Sequence, residues 1–408
     1  MKNLKTAFIL SVLLVTVNTN AQQLETLLKE AFNNSPTIQK FELQYKIKAE
    51  KANEVNTLPN TEFGVGYFVS EPETRTGAQR FKISAKQMLP WFGSITARQN
   101  YANSLADASF EDIVIAKRKL IVAVSQSYYN LYENKAKQQV LIENIELLKN
   151  YETMALTSVE VNKASAVDVL RLQMRQNELD KLKQLLHQKY IAEQTTLNKL
   201  LNRDKAIEVR IENNLEIPAD DSFLNTNSLE LHPELLKYEK LYNAVEKSEL
   251  LNQKESNPLI GFGLDYVNVE ERPDITISDN GKDILMPMVS VSIPIFNKKY
   301  KSKSKQNNLQ QLAIKNEKQE RYNKLQSFLD AAINERISAK ISYNIQAKNL
   351  KQAKNAEDIL ISNYETGTID FNDVLDIQEL QLKFQINQIE SVKNYYNQST
   401  IINYLISN

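Results

Sequence analysis

The chain contains no cysteine, which excludes both a disulfide and a thiolate metal site. It has only two histidines, His187 and His232, and neither stands at metal-ligand spacing. No phosphate-binding glycine loop and no nucleophile elbow is present, so no enzyme, cofactor or metal site is expected. Both histidines read as surface or capping residues. Lysine and arginine number 50, as do aspartate and glutamate, and the net charge is +0. A basic footprint for nucleic acid is therefore missing. Beyond residue 21 no run of apolar residues is long enough for a membrane-spanning helix. Breakers are scarce too: prolines number 10 and glycines 8. None of the prolines lies between Pro90 and Pro218 or after Pro294, and only Gly93 and Gly367 fall outside two glycine-bearing strand regions.

What is there begins with an export pattern. Lys2 and Lys5 precede an apolar stretch from Ala7 to Val17, and Ala21 supplies a small residue for cleavage. Residues 1–21 read as a secretory signal peptide. The rest says the same thing twice. Asp168-Val-Leu with a glutamine at 173 returns as Asp373-Val-Leu with a glutamine at 378. Pro90 and Phe92 return as Pro294 and Phe296, Phe63-Gly-Val-Gly as Ile260-Gly-Phe-Gly, and Pro36 as Pro233. Markers in one order at an offset of about 200 residues indicate a single tandem duplication, far longer than a solenoid repeat.

Four segments alternate with period two. Phe63, Val65, Tyr67 and Val69 oppose Gly64, Gly66 and Ser70, and Phe81, Ile83 and Ala85 oppose Lys82, Ser84 and Lys86. In the second copy Ile260, Phe262, Leu264 and Tyr266 oppose Gly261, Gly263 and Asp265, and Val289, Val291 and Ile293 oppose Ser290 and Ser292. Such alternation fits transmembrane strands, with Val65, Tyr67, Ile83, Phe262, Leu264, Val289 and Val291 facing lipid. A half-buried soluble hairpin alternates in the same way. Polar loops and strand length favour the membrane. Four strands cannot close a barrel, and an open edge is not viable in hydrocarbon, so several chains must share one barrel.

The breaker-free stretches read as long helices with coiled-coil seams: Ile121, Val124, Tyr128 and Leu131, then Leu141, Ile145 and Leu148, and in the last helix Leu375, Leu382, Ile389 and Tyr396. Shorter helices are expected at 24–56 and 229–257. The expected organisation is a first repeat at 22–201 (helix, β-hairpin 61–89, long helix pair), a connector at 202–228, and a second repeat at 229–408 (helix, β-hairpin 259–296, long helix pair). The fold class is mainly α with a transmembrane β part. Trp91, the one tryptophan, suits either a membrane interface or a buried corner. The lysine run from Lys298 to Lys305 reads as a solvated helix start.

Two motifs, Gln87-Met-Leu-Pro-Trp-Phe-Gly93 with its echo Ser292-Ile-Pro-Ile-Phe-Asn297, and Asn363-Tyr-Glu-Thr-Gly-Thr-Ile-Asp-Phe-Asn-Asp-Val-Leu-Asp-Ile-Gln378, give the chain its resemblance to the TolC family of outer-membrane factors. The resemblance covers essentially the whole chain after residue 21. It implies a homotrimer in the outer membrane of a Gram-negative bacterium, with a twelve-stranded barrel continued by an α-helical barrel into the periplasm. It further implies a passive exit duct of a tripartite efflux pump. The partners would be a periplasmic adaptor (membrane fusion) protein, an inner-membrane pump such as an RND transporter, and outer-membrane lipid. The cargo would be a heavy-metal cation or a drug, with a type I protein secretion duct as the alternative.

The same resemblance places Asn162, Tyr364, Gly367 and Thr368 at an adaptor-facing tip and makes Asp373 and Asp376 a periplasmic gate of carboxylate rings. Where the family often carries an arginine at the tip this chain has Ile369, so any lock must use other contacts. The plainer reading of Asp370 and Asp373 is as carboxylates at a helix N-terminus, favoured by the macrodipole. In a different class altogether stands a periplasmic coiled-coil scaffold without a channel.

Overall fold

The computed structural model describes residues 21–161, 165–219, 226–366 and 368–406. The signal-peptide expectation thus falls almost wholly outside the described residues, and so do Asn162 and Gly367. Helices α1 (Ala21–Asn34) and α2 (Pro36–Val55) lead into β1 (Glu62–Tyr67), a short β2 (Glu73–Thr74) and β3 (Gly77–Leu89). Next come α3 (Ser94–Glu160) and α4 (Ala166–Leu200). A 3-10 turn (Thr226–Leu231), α5 (Pro233–Glu255), β4 (Leu259–Val269), β5 (Ile284–Ser292), α6 (Lys299–Glu365) and α7 (Phe371–Ile406) repeat that order. The two longest helices, α3 and α6, each run 67 residues, as stretches free of proline and glycine allow. No described helix is long and apolar enough to cross a membrane.

One helix expected at 24–56 is two. Ser35 interrupts it, its Oγ accepting from the Ile38 N–H at 3.4 Å, and Pro36 opens α2. Proline is tolerated at a first helical position because its missing N–H has no partner there anyway. Pro233 opens α5 in the same way.

The chain divides into two compact units, each drawing on both copies. The first holds the described parts of Met1–Gln39, Val114–His232 and Tyr322–Asn408. Its core has two clusters. In one, Leu141, Leu148 and Ala155 of α3 meet Leu172, Leu179 and Leu186 of α4, both sets at intervals of seven. The expected seam of α7 is only partly the observed one. Leu382 is buried, but Leu375, Ile389 and Tyr396 are half-buried, while Phe371, Val374, Gln378, Val392 and Tyr395 go deeper. With α3, α4 and α6 all contributing to the cluster around it, α7 buries a wider stripe than a two-helix seam. The stripe includes polar groups. Gln378 donates to Asn144 Oδ1 at 2.7 Å, and Asn144 to Gln385 at 3.0 Å. Tyr151 Oη and Gln381 both donate to the Glu357 carboxylate, at 2.6 and 2.8 Å. A one-turn slip would strand these groups in the core, so they penalise other helix registers.

The second core cluster is covered by the connector. Asn202 at φ 53 turns the chain out of α4, with Arg203 N–H donating to Asn198 O at 3.0 Å; asparagine tolerates this left-handed position. Val209, Ile211 and Ile217 then insert into the cluster. Tyr128 Oη accepts from Glu212 N–H at 3.3 Å, Tyr132 Oη from Leu215 N–H at 3.3 Å, and Tyr396 Oη donates to Glu216 O at 2.7 Å. Burial lifts the Tyr128 hydroxyl to about 12. A tyrosine that ionises near 10 in the unfolded chain but near 12 in the folded one stabilises the fold fully below pH 10 and progressively less above it. The melting temperature is therefore expected to fall between pH 10 and 12, and to fall less in Tyr128→Phe. Thermal melts followed by circular dichroism at stepped pH measure both.

His232, expected at the surface or as a cap, is buried, its ring edge-on to Tyr404 with centroids 5.1 Å apart. The turn before Pro233 carries it inward. His187 is exposed.

The second unit holds Lys40–Ile113 and Pro233–Arg321. Its helices bury Leu235, Val245 and several alanines, and polar residues beside them. Asn252 donates to Tyr300 O at 3.0 Å and to Ser304 Oγ at 3.1 Å, and Glu249 accepts from Ser304 and Asn307, both at 2.7 Å. Burial pushes the Glu249 carboxyl up, yet these hydrogen bonds outweigh it and hold it below the usual range. The strands form one antiparallel sheet in the order β1-β3-β4-β5, with β2 beside β3. Each hairpin is a copy, and the copies meet at β3–β4. Among the described residues β1 pairs only with β3, and β5 only with β4. Both outer edges are thus open. β5 carries Pro287, which an edge strand tolerates.

Candidate functional site

The sheet register decides which side chains share a face. Phe63 lies opposite Ala85, and Ala85 opposite Leu264, which faces Pro287. Val65 is paired with Ile83, Ile83 with Tyr266, and Tyr266 with Leu285; Gln87 with Phe262, and Phe262 with Val289. Since directly opposed residues project to the same side, Val65, Tyr67, Ile83, Phe262, Leu264, Val289 and Val291 all fall on one face. Gly64, Gly66, Lys82, Ser84, Asp265 and Ser290 fall on the other.

Burial on this sheet is inverted relative to a soluble one. The apolar face is open: Phe63 is 79%, Val65 81% and Val289 71% exposed. On the other face, which also carries Met88, Met286 and Met288, Asp265 is fully buried and ion-paired with Lys82, and Val267 is buried with it. A soluble hairpin would bury its apolar side. β4 is 11 residues long, within the roughly 9–11 that cross a bilayer when tilted.

Both hairpins pass into helices through tight corners. Gly93 sits at φ 80, a conformation L side chains rarely adopt, which accounts for glycine at the end of its motif. Trp91 is half-buried and edge-on to Phe92, which is exposed. Both offices suggested for Trp91, interface and corner, are open to a ring so placed.

At the other end of the long helices lie the turns from α3 to α4 and from α6 to α7. Ser165 and Asp168 form a capping box at the start of α4, with Val167 N–H donating to Ser165 Oγ at 3.2 Å. In the second copy Asp373 occupies the first turn of α7, its N–H donating to Asp370 O at 3.3 Å. Asp373 and Asp376 are both exposed, three residues apart and so on one side of the helix. Thr368 closes the turn, its N–H and Oγ1 donating to Asn363 O at 3.0 and 2.8 Å. Tyr364 is buried, its ring edge-on to Phe371 at 4.8 Å; Phe371, fully buried, also meets Tyr151 at 5.8 Å.

Two arginines escaped the sequence reading. Arg171 on α4 donates to Asn372 Oδ1 on α7 and lies 3.9 Å from Asp168. Arg175 reaches Glu379 at 3.7 Å. They tie the two copies together beside the turn, where Ile369 offers no charge. Arg171 follows the repeated Asp-Val-Leu directly, and that spacing was the available signal. No group of three or more metal-ligating side chains occurs among the described residues.

No protein-family model matches the sequence, and no curated sequence matches it. Solved structures do. The outer-membrane channel OprN superposes with a TM-score of 0.76 at 14% identity, covering 94% of this chain and 90% of its own. CusC, described for conformational changes accompanying folding and transmembrane channel formation, gives 0.76 at 14% identity, over 96% and 95%. The outer membrane protein VceC of Vibrio cholerae gives 0.74 at 13% identity, over 95% and 96%. Over nearly its whole length, the chain has the fold of these outer-membrane proteins.

Proposed function

We propose that this protein is an outer-membrane factor of the TolC type: a homotrimeric, passive exit duct of a tripartite efflux pump, seated in the outer membrane of a Gram-negative bacterium and reaching into the periplasm. The observation that carries this is the inverted sheet. An exposed apolar face needs lipid, and two open edges need partners. Three copies pairing β1 of one with β5 of the next close a barrel of twelve strands, with the seven residues from Val65 to Val291 outward and Lys82, Ser84 and Asp265 towards the lumen. The periplasmic adaptor meets the turn at Thr368, and an inner-membrane pump such as an RND transporter supplies the energy. The cargo is a heavy-metal cation or a drug; protein secretion uses the same kind of duct and is separated from efflux by transport assays. Reconstitution into planar bilayers tests the channel: discrete conductance steps are expected, and a protein that stays in solution without detergent and conducts nothing belongs to the scaffold class.

Asp373 and Asp376 are the gate in this reading. Three chains place two carboxylates each at a constriction, which favours cations. The double variant Asp373→Ala, Asp376→Ala is expected to lose cation selectivity and block by a trivalent cation added on one side, with assembly intact. Single-channel recording with the blocker on each side in turn measures it. Unchanged selectivity would leave both as helix-start carboxylates. Arg171 and Arg175 hold α4 against α7 at this end and stand where the lock must be.

A further inference from the structure

Five lysines at the start of α6, Lys298, Lys299, Lys301, Lys303 and Lys305, are a charge cluster that duct and gate leave unused. Four are exposed and Lys303 is half-buried. Among the described residues none of them forms a side-chain ion pair, and the Lys299 ammonium lies 5.7 Å from the Tyr300 ring. They also crowd the positive pole of a helix, where cations are disfavoured. The loops at the opposite end of the sheet differ. There Arg75 pairs with Asp279, Arg80 with Glu270, and Arg272 with Asp274. The three arginines at that end are matched within the chain, and the five lysines at the other are left over, beside an Arg98–Glu255 pair.

What adjoins the lysines is apolar. Ile293, Ile295 and Phe296 connect β5 to α6, and Phe296 is 97% exposed. Pro90 and Pro294, from the two strand-to-helix corners, line one cleft with Lys299 and Tyr300. The corner bearing Trp91 and Phe92 is therefore beside the lysine run. Passing along the unit from the sheet, the surface offers an apolar face, then aromatic rings, then ammonium groups. A phospholipid offers acyl chain, glycerol and phosphate in the same order.

We propose that this lysine cluster binds the phosphate headgroups of anionic phospholipid at the end of the sheet where strands pass into helices. The proposal rests on the membrane reading of the sheet. A zwitterionic lipid carries its own cation beside the phosphate and gains less from the cluster. Nucleic acid would match the lysines but not the exposed isoleucines and phenylalanine next to them.

Trp91 is the only tryptophan, so its fluorescence reports the lipid at this corner. The full chain is reconstituted in phosphatidylcholine vesicles containing a minority of phosphatidylglycerol, with brominated acyl chains carried by one lipid or the other. Clustered lysines near a charged surface predict that brominated phosphatidylglycerol is enriched around Trp91 by about threefold or more over its share, and that salt abolishes the enrichment. Replacing all five lysines by glutamine (Lys298→Gln and its four counterparts) should equalise the two lipids, and replacing them by arginine should keep the preference. Quenching by both lipids without preference in the native protein, or a preference that survives the glutamine variant, overturns the proposal. Quenching by neither lipid removes the membrane reading along with it.

Discussion

Leu264→Arg is expected to abolish trimer accumulation in membranes, whereas Ser290→Arg leaves it near the native level. Leu264 lies in the middle of the sheet, paired on one side with Ala85 and on the other with Pro287. In the proposed barrel an arginine there enters the lipid-facing band, at a cost of about 2–4 kcal/mol per chain near the bilayer midplane. Three chains incur it together. Ser290 is opposite Gly261 on the polar face, where an arginine points into water. Quantitative immunoblots of unheated membrane fractions read trimer yield. Equal losses in the two variants would mean that the faces are misassigned.

Phe371→Ala is the second large effect. Phe371 is fully buried between Tyr151 and Tyr364 at the start of α7. Truncating a buried phenylalanine costs about 3–5 kcal/mol, because the cavity collapses only in part. The loss is local, at the start of α7, which carries Asp373 and Asp376, while the sheet lies in the other unit. Trimer assembly is expected to persist, with a leakier pore: longer openings in bilayer recordings and greater entry of large antibiotics into cells. Phe371→Leu, which fills most of the volume, should behave close to native. A variant with native conductance would separate the packing beneath the turn from control of the pore.

Much of this was legible beforehand, for identifiable reasons. Helices as long as α3 and α6 announce themselves through the want of proline and glycine, and Pro36 and Pro233 mark corresponding helix starts in the two copies. The strand alternation sorted Val65, Ile83, Leu264 and Val289 onto one side, and the register keeps them together because a one-residue slip would have scattered them. What stayed hidden depends on contacts distant in sequence. The seam of α7 shifted to Val374, Gln378 and Tyr395 because several helices contribute to its core, which a heptad count along one helix does not register. His232 disappeared into the interior against Tyr404, some 170 residues away in a polar-looking stretch. The connector looked like a linker, yet three tyrosine hydroxyls from the helices hold its backbone. Arg171 touches the second copy through Asn372, a pairing visible only once the two repeats are folded against each other.

In the proposed barrel the open edges β1 and β5 meet between chains. The native chain has no cysteine, so engineered pairs give no background. A panel of variants with one cysteine on β1 (Glu62 to Tyr67) and one on β5 (Ile284 to Ser292), oxidised in membranes and run on denaturing gels, is predicted to contain registers that yield covalent dimers and trimers and nothing larger. Cross-links confined within single chains, or none at any register, would contradict it.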